Sequence, residues 1–175
     1  MQIVFADLQD SIVALSGTNS PATIRRSSGV LGQVTQTLNI PFTVSVAPRP
    51  GGPGVIAELP DASAFVRDGP CCWDDQPWCA AIAAHARRTL VICGVTSEIV
   101  VLHTALDALA AGYDVIVPVD ASGGLSERTE NAALRQIEKA GGTVTSVAGL
   151  VTGMVRDFTT PTGRNVITAL HHLAG

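Results

Sequence analysis

The chain has 175 residues, of which 46% are hydrophobic and 15% are charged. This composition predicts a single globular domain over residues 1–175, and no apolar run reaches the roughly 18 residues that a membrane span needs. The formal net charge of −4 provides no broad basic surface for phosphates, so we expect neither a nucleic-acid nor a membrane partner. The opening MQIVFAD reaches an acidic residue before a long apolar stretch develops, which argues against a secretory signal and favours a cytoplasmic protein.

The four cysteines are expected to be reduced thiols, as in most proteins that are not exported. Cys71 and Cys72 are adjacent, which is poor spacing for a zinc site. No histidine-rich cluster completes such a site. We therefore expect no metal and no cofactor.

Short apolar runs alternate with amphipathic stretches along the chain. The apolar runs predict strands at residues 2–6, 42–47, 64–67, 89–93, 114–119 and 143–147. The amphipathic stretches predict helices after the N-cap Ser20, over residues 78–88 and 98–111, after Ser126, and over residues 161–173. This alternation indicates right-handed βαβ units and a doubly wound, mostly parallel α/β sheet with helices on both faces. The C-terminal helix, about 161–173, looks separate and suited to dock on a neighbouring subunit.

Ligands of such folds bind at the carboxyl ends of the strands. Three predicted strand ends carry polar residues or a turn: Asp7, Arg67 and residues 94–100. Each also has an ordinary structural explanation, since an aspartate after a strand often caps a helix and an arginine often forms a surface ion pair. Glu98 either stabilises the first turn of its helix or braces the turn before it.

Two segments carry a family resemblance. IVFADLQ around Asp7 and GVTSEIVVLHTALDALAAGYDVIVPVDASGG from Gly94 resemble the isochorismatase-like family, also called cysteine hydrolases. VRDGPCCWDD resembles a branch of that family in which an arginine replaces the usual lysine and a Trp-Asp pair follows. The matching positions there are Arg67, Trp73 and Asp74.

The resemblance implies a three-layer, Rossmann-like fold and a triad of aspartate, basic residue and cysteine. Asp7 takes the place of the aspartate and Arg67 that of the basic residue, while Val95, Thr96 and Ser97 form the turn that binds an oxyanion. Counting from Gly94, the position of the nucleophilic cysteine holds Val100. Valine cannot form the thioester of the family's amidases.

Three hypotheses for the activity remain open. In the first, as in true isochorismatases, water attacks a vinyl ether that a protonated Asp7 has activated, although Arg67 nearby favours the carboxylate. In the second, the nucleophile has moved to another residue, with Cys72 a better candidate than Cys93 and with Thr96 and Ser97 in the turn. In the third, the fold is a binding or oligomeric module without hydrolysis, and Asp7, Arg67 and Trp73 line a pocket for a carboxylate-bearing or aromatic ligand.

The resemblance also bears on metals and assembly. The metal-dependent nicotinamidase branch uses a histidine between the first and third strands, and no histidine occurs here before His85. Relatives assemble around the active site, so a homo-oligomer acting on a small-molecule substrate is expected.

Overall fold

The computed structural model describes residues 1–174 as one parallel sheet covered by helices. The strands are β1 (Gln2–Ala6), β2 (Phe42–Val46), β3 (Ala64–Val66), β4 (Thr89–Gly94), β5 (Asp114–Pro118) and β6 (Thr143–Thr145). Their order across the sheet is β3-β2-β1-β4-β5-β6, and every pairing is parallel. The expected doubly wound α/β fold is confirmed, with no antiparallel strand in the sheet that residues 1–174 form.

The two central strands are the most deeply buried part of the sheet. Every residue of β1 is buried, as is typical of parallel strands with helices on both faces. The register pairs Ile3 with Val91 and Ala6 with Gly94, so β1 and β4 end side by side. A Cβ added at Gly94 would lie 1.9 Å from the carbonyl oxygen of Ala6, so this close approach requires glycine.

Seven α-helices flank the sheet within the described residues. They are α1 (Asp10–Val13), α2 (Pro21–Leu38), α3 (Gln76–Ala84), α4 (Leu102–Ala110), α5 (Glu127–Lys139), α6 (Val147–Met154) and α7 (Pro161–His171). Short 3-10 turns occupy Cys72–Asp74, Val119–Ala121 and His172–Ala174, and a π-helical turn occupies Ser97–Val101. Ser20 caps α2 as predicted, since its hydroxyl accepts a hydrogen bond from the Thr23 amide at 3.1 Å, a contact that contributes about 1 kcal/mol.

The core divides into two apolar clusters, one on each face of the sheet. Helices α2, α6 and α7 pack on one face, and α3, α4 and α5 pack on the other. None of the helices among residues 1–174 is long and apolar enough to cross a membrane.

Three details differ from the sequence predictions, and the first is α1, a single turn too short to show a helical period. Helix α6 was not predicted, because its short apolar segment contains Gly149 and Gly153 and follows directly on the last strand. The expectation that the C-terminal helix docks on a neighbouring subunit was wrong for its apolar face. Val166, Ala169 and Leu170 of α7 lie in the core of their own chain, where α7 packs against α2.

Strands β2 and β3 lie on one side of β1, whereas β4, β5 and β6 lie on the other, so the strand order reverses between β1 and β4. In open parallel sheets this topological switch opens a crevice beyond the carboxyl ends of the two strands. The residues that follow β1 and β4 therefore lie where a ligand binds in this class of fold.

Candidate functional site

Asp7 and Arg67 form a buried ion pair at the carboxyl end of the sheet. The two guanidinium nitrogens of Arg67 donate to the two carboxylate oxygens of Asp7, at 2.7 Å from Nη1 to Oδ1 and 2.5 Å from Nη2 to Oδ2. The side chains are only 3% and 9% exposed for Arg67 and Asp7, respectively. This bidentate geometry is the strongest form of the arginine–carboxylate contact. Sequence reasoning named both residues, and the structure brings them together.

The pair is positioned by three strands. Asp7 follows β1, and its amide donates to the carbonyl oxygen of Ser45 at 2.8 Å. Arg67 follows β3, two strands away, and its Nη1 also donates to the Ser45 hydroxyl at 3.2 Å. Ser45 is small and fully buried, so the arginine can reach across β2. Sequence reasoning missed Ser45, whose only signal was a hydroxyl inside the apolar strand FTVSV.

Asp7 also has an unusual backbone conformation. Its φ is +54°, in the left-handed region that aspartate tolerates better than most other residues. Such a conformation costs on the order of 1 kcal/mol or more, and residues held in it are common at functional sites. The strain is offset here by the hydrogen bonds of the Asp7 amide and carboxylate.

Arg67 stays charged although the ion pair is buried. Burial is the largest influence on the pKa of Arg67 and lowers it, but the hydrogen bonds to Asp7 and attraction to nearby acidic groups outweigh it, so the pKa lies above its ordinary value. The charged guanidinium is thus the buried counter-ion that both Asp7 oxygens contact.

A pocket of about 230 Å³ opens beside the pair. Its lining combines the pair with residues after β1, β2, β3 and β4: Asp7, Ile12, Leu15, Ala47, Arg49, Arg67, Gly69, Pro70, Val95, Thr96 and Ile99. We call this cavity the Asp7 pocket. A larger hollow of about 270 Å³ lies on the other side of Arg67 and is lined mainly by the acidic stretch around Asp74 and Asp75.

The turn after β4 forms one wall of the Asp7 pocket. The peptide bond between Val95 and Thr96 is cis. The Val95 amide donates to the Ala6 carbonyl oxygen at 3.3 Å, and the Ser97 amide donates to the Gly123 carbonyl oxygen at 2.9 Å. Two of the three backbone amides expected to bind an oxyanion thus already donate hydrogen bonds to carbonyl oxygens of the chain itself. The hydroxyl of buried Thr96, in contrast, has no hydrogen-bond partner among residues 1–174.

The start of α5 braces this turn. The Ser97 hydroxyl donates to the Glu130 carboxylate at 2.7 Å. Glu98 accepts from the Leu125 amide at 2.8 Å and from the Thr129 hydroxyl at 2.7 Å. The predicted bracing role of Glu98 agrees with these contacts, whereas Glu130 and Thr129 lie more than 30 residues away in sequence and gave no signal.

Val100 lies outside the Asp7 pocket. Its side chain is fully buried in the apolar cluster that also contains Ala6, Cys72 and Trp78. The pocket wall is formed instead by Val95, Thr96 and Ile99. The structure therefore does not bring Val100 to the cavity that Asp7 and Arg67 share.

The cysteines are held as neutral thiols. Cys72 is fully buried, and burial raises its pKa even though the nearby Arg67 lowers it. Burial likewise raises the pKa of Cys71 to about 12, and it raises the pKa values of Cys79 and Cys93. None of the four lines the Asp7 pocket. A thiolate is the reactive form of cysteine, so the geometry disfavours a relocated thiol nucleophile.

Trp73 also lies away from the Asp7 pocket. Its ring packs edge-on against Trp78 and Tyr113, with centroids 5.3 and 5.5 Å apart. It contributes to the apolar cluster on the α3 and α4 face. The Trp73 position in the motif is occupied as expected, but the side chain serves packing between helices. Among residues 1–174, no group of three His, Cys, Asp or Glu side chains is arranged to hold a metal ion.

An all-parallel sheet with an aspartate after β1, a basic residue after β3 and a turn after β4 is the arrangement implied by the resemblance to the isochorismatase-like class of α/β proteins. Residues 2–149 match the model of the Isochorismatase domain, and the chain belongs to this family.

Proteins called YcaC are among its relatives. The chain is 30% identical over 162 residues to the probable hydrolase YcaC of Escherichia coli, an alignment that covers 89% of this chain and 78% of that protein. The solved structure of the E. coli YcaC gene product, described as an octameric hydrolase of unknown specificity, superposes with a TM-score of 0.84 at 28% identity and covers 98% of this chain and 85% of that one. YcaC from Pseudomonas aeruginosa, solved with hexane-2,5-diol and covalent acrylamide, superposes with a TM-score of 0.88 at 24% identity and covers 99% of this chain and 90% of that one.

Proposed function

We propose that the protein hydrolyses a small molecule in the Asp7 pocket by direct attack of water, without a covalent intermediate at residue 100. One observation carries the proposal: both oxygens of the Asp7 carboxylate are held by Arg67 at the pocket wall, while Val100 is buried elsewhere. Membership of a hydrolase family supports the reaction class.

The pair favours Asp7 as a base over Asp7 as an acid. Each carboxylate oxygen has two lone pairs, so an oxygen that accepts from Arg67 retains a site for the hydrogen of a water molecule. Asp7 thereby orients the water and accepts its proton as the water oxygen attacks. A carboxylate held by a charged guanidinium is poorly suited to protonate a vinyl ether. The proposed substrate is therefore a small amide or imide.

The proton balance of this step is simple. The water oxygen bonds to the carbonyl carbon, Asp7 takes one proton, and the same proton passes to the nitrogen that leaves as the C–N bond breaks. Thr96 lines the pocket, and its hydroxyl, which is buried without a partner among residues 1–174, donates to the carbonyl oxygen once the side chain turns toward the pocket. Arg67 contributes by holding both carboxylate oxygens in place.

A second candidate function is binding of a small molecule without turnover. The favouring observation is that a buried valine occupies the position at which the resemblance places the nucleophile. In that case ligands stabilise the protein by mass action, and no product forms.

The first experiment is a turnover assay on isochorismate and a panel of small amides and imides, with Asp7→Asn alongside the parent. We expect amide or imide turnover in the parent and a loss of about 100-fold or more in Asp7→Asn. The double variant Asp7→Asn/Arg67→Gln removes both charges and controls for destabilisation by an unpaired Arg67. Turnover that survives in both variants refutes the proposal, and ligand-dependent stabilisation with no turnover in the parent supports the second candidate.

We also propose that the protein works as a homo-oligomer in a reducing, cytoplasmic compartment. The octameric E. coli relative supports the assembly, and four free cysteines support the compartment. Exposed apolar side chains at Leu15, Ile99 and Leu125 provide surface for such contacts. A mass near 18 kDa by size-exclusion chromatography with light scattering contradicts the assembly.

A further inference from the structure

Another hollow lies at the amino end of the sheet, on the side opposite the Asp7 pocket. It has a volume of about 520 Å³ and is lined by Asn39, Ile40, Pro41, Phe42, His85 and Arg87. These residues surround the start of β2 and precede β4. Since the five residues of β1 separate the two ends of the sheet, the hollow lies about 17 Å from the Asp7 pocket at a rise of about 3.3 Å per residue. We call it the His85 hollow.

A fully buried glutamine at the start of β1 fixes the imidazole of this hollow. The Nε2 of Gln2 donates to the carbonyl oxygens of Ile82 at 3.1 Å and Arg87 at 3.2 Å. Because both amide hydrogens are used in this way, the Oε1 of Gln2 can only accept. It lies 2.6 Å from Nδ1 of His85, so Nδ1 carries a hydrogen and donates it.

The other ring nitrogen of His85 remains free. Nε2 makes no hydrogen bond to another residue of 1–174, and the half-buried ring forms part of the wall of the hollow. A hydrogen bond that fixes the tautomer and direction of an imidazole is typical of histidines that bind ligands. The neutral nitrogen accepts from an O–H group, and the protonated nitrogen donates to an anionic oxygen. A phosphate offers both kinds of partner.

Arg87 supplies an unpaired positive charge beside this ring. Its exposed side chain forms no ion pair within residues 1–174, whereas Nε of the adjacent Arg88 lies 3.2 Å from Oδ2 of Asp114. No acidic side chain of the described residues lines the hollow. Ala86, directly before Arg87, has a φ of +50°, which is unusual for a residue other than glycine and is more common at functional sites. The charge of Arg87 is thus available to an anion.

The helix ends beside the hollow do not oppose an anion strongly. Free carbonyl groups at a helix C-terminus carry partial negative charge, and both α2 and α3 end here. Several of these carbonyl oxygens already accept hydrogen bonds from beyond the last turn: Thr35 in α2, and Ala81, Ile82 and Ala83 in α3. The unpaired guanidinium is therefore the main charge at the hollow.

The floor of the hollow is apolar and holds more than a bare anion. Ile40, Pro41 and Phe42 are all half-buried. The ring of Phe42 is held by an edge-on contact with Phe5, with centroids 5.9 Å apart. About 520 Å³ corresponds to roughly 17 water molecules at the volume each occupies in the liquid. The space accommodates a phosphate together with a ring system.

We propose that the His85 hollow binds a small phosphate monoester with a flat apolar body, about the size of a mononucleotide. Arg87 pairs with two phosphate oxygens, since a guanidinium matches phosphate in bidentate geometry. Nε2 of His85 meets a third oxygen, and the body of the ligand lies on Pro41 and Phe42. The inference does not depend on the proposed function, because the two cavities share no lining residue.

The test compares phosphates with the matched compounds that lack the phosphate. Adenosine 5′-monophosphate and phenyl phosphate are paired with adenosine and phenol, and binding to the full-length protein is measured by titration calorimetry at about 0.15 M salt. We expect each phosphate to bind about tenfold or more tightly than its partner compound. Arg87→Gln should remove this preference by weakening the phosphates about tenfold while leaving adenosine and phenol unchanged.

A second variant tests the imidazole without disturbing its support. His85→Asn keeps an N–H close to the position from which Nδ1 donates to Gln2 and removes Nε2. We expect both phosphates to bind about threefold or more weakly to this variant. Unchanged phosphate affinity in His85→Asn overturns the assignment of Nε2 to the site.

Arg88→Gln is the matched control. It removes the same charge from the neighbouring residue, whose side chain pairs with Asp114 and does not line the hollow. Its phosphate affinities should stay within about twofold of the parent. Equal weakening by Arg87→Gln and Arg88→Gln shows only a general attraction to basic surface and overturns the inference. Equal affinity for phosphates and their partner compounds, benzoate that binds as tightly as phenyl phosphate, or the absence of binding by every probe does the same.

The variants of the Asp7 pocket locate the ligand from the other side. In Asp7→Asn/Arg67→Gln the phosphate affinities should equal those of the parent, because this pair lies at the opposite end of β1. Phosphate binding that is lost in this double variant and kept in Arg87→Gln places the ligand in the Asp7 pocket and overturns the inference. None of these outcomes depends on whether the Asp7 pocket supports turnover.

Discussion

The two walls of the Asp7 pocket differ in kind. The wall at the ends of β1 and β3 carries a buried ion pair whose two hydrogen bonds measure 2.7 and 2.5 Å. The wall after β4, where the resemblance places a thiol, presents Val95, Thr96 and Ile99 and turns Val100 into the core. The pocket thus combines the aspartate and the basic residue to which the family resemblance points, whereas residue 100 lies outside it. A fold can keep a charged cavity while the position at which the resemblance places the nucleophile belongs to the apolar core.

The largest expected effect comes from breaking the charged wall. Asp7→Asn leaves Arg67 buried without a counter-charge, so we expect a loss of about 3–5 kcal/mol in the free energy of unfolding, measured by urea denaturation. Asp7→Asn/Arg67→Gln should recover a substantial part of that loss, because it removes both charges. If the loss in the double variant equals the sum of the losses in Asp7→Asn and Arg67→Gln, the two side chains are not coupled.

Weakening the wall after β4 should lower the free energy of unfolding by a smaller amount. Glu98→Ala removes the acceptor of the Leu125 amide and the Thr129 hydroxyl, and we expect a loss of about 1–3 kcal/mol by the same measurement. Glu138→Ala, at an exposed position of α5, is the control and should stay within about 0.5 kcal/mol of the parent. If both variants behave alike, the brace between the turn and α5 contributes nothing to stability.

The neutral thiols predict a dependence on alkaline pH. Burial raises the pKa of Cys71 from 9.0 to about 12, so the thiol ionises first in the unfolded chain. Its contribution to stability is complete below pH 9 and declines as the pH rises from about 9 toward about 12. Urea denaturation at about pH 8, 9 and 10 should show this decline, and Cys71→Ala should make it shallower. The same slope in parent and variant contradicts the assignment.

The smallest expected effect comes from restoring the thiol. Val100→Cys replaces a buried apolar side chain with one of similar size, so we expect a change of less than about 1.5 kcal/mol in stability. Because residue 100 does not line the pocket, the native variant should react with acrylamide no faster than the parent, as followed by intact-mass spectrometry. Rapid adduct formation at the introduced thiol, together with new amide turnover, shows that residue 100 does reach the pocket. The difference between the two walls then comes down to the missing sulfur atom of that one side chain.

Much of the fold was predictable because its signals are local. Continuous apolar runs identified the strands, and the Ser20-Pro21 and Ser126 caps located two helices. Helix α6 escaped because eight residues with two glycines carry too weak a period. The α7 docking was misjudged because an amphipathic helix shows that it has an apolar face without showing which surface covers it.

The sequence by itself determined the succession of strands and helices along the chain and the family. It also determined the identities of Asp7, Arg67 and the turn after Gly94. Each of these depends on residue type and on spacing along the chain. The tertiary structure alone decided which of these side chains meet. It carried Arg67 across β2 to Asp7 over a serine, placed Arg49 at the same cavity, and turned Val100, Cys72 and Trp73 away from it. The physical reason is that these contacts join residues far apart in sequence, and their direction is set by the crossing of strands and the packing of helices on each face of the sheet.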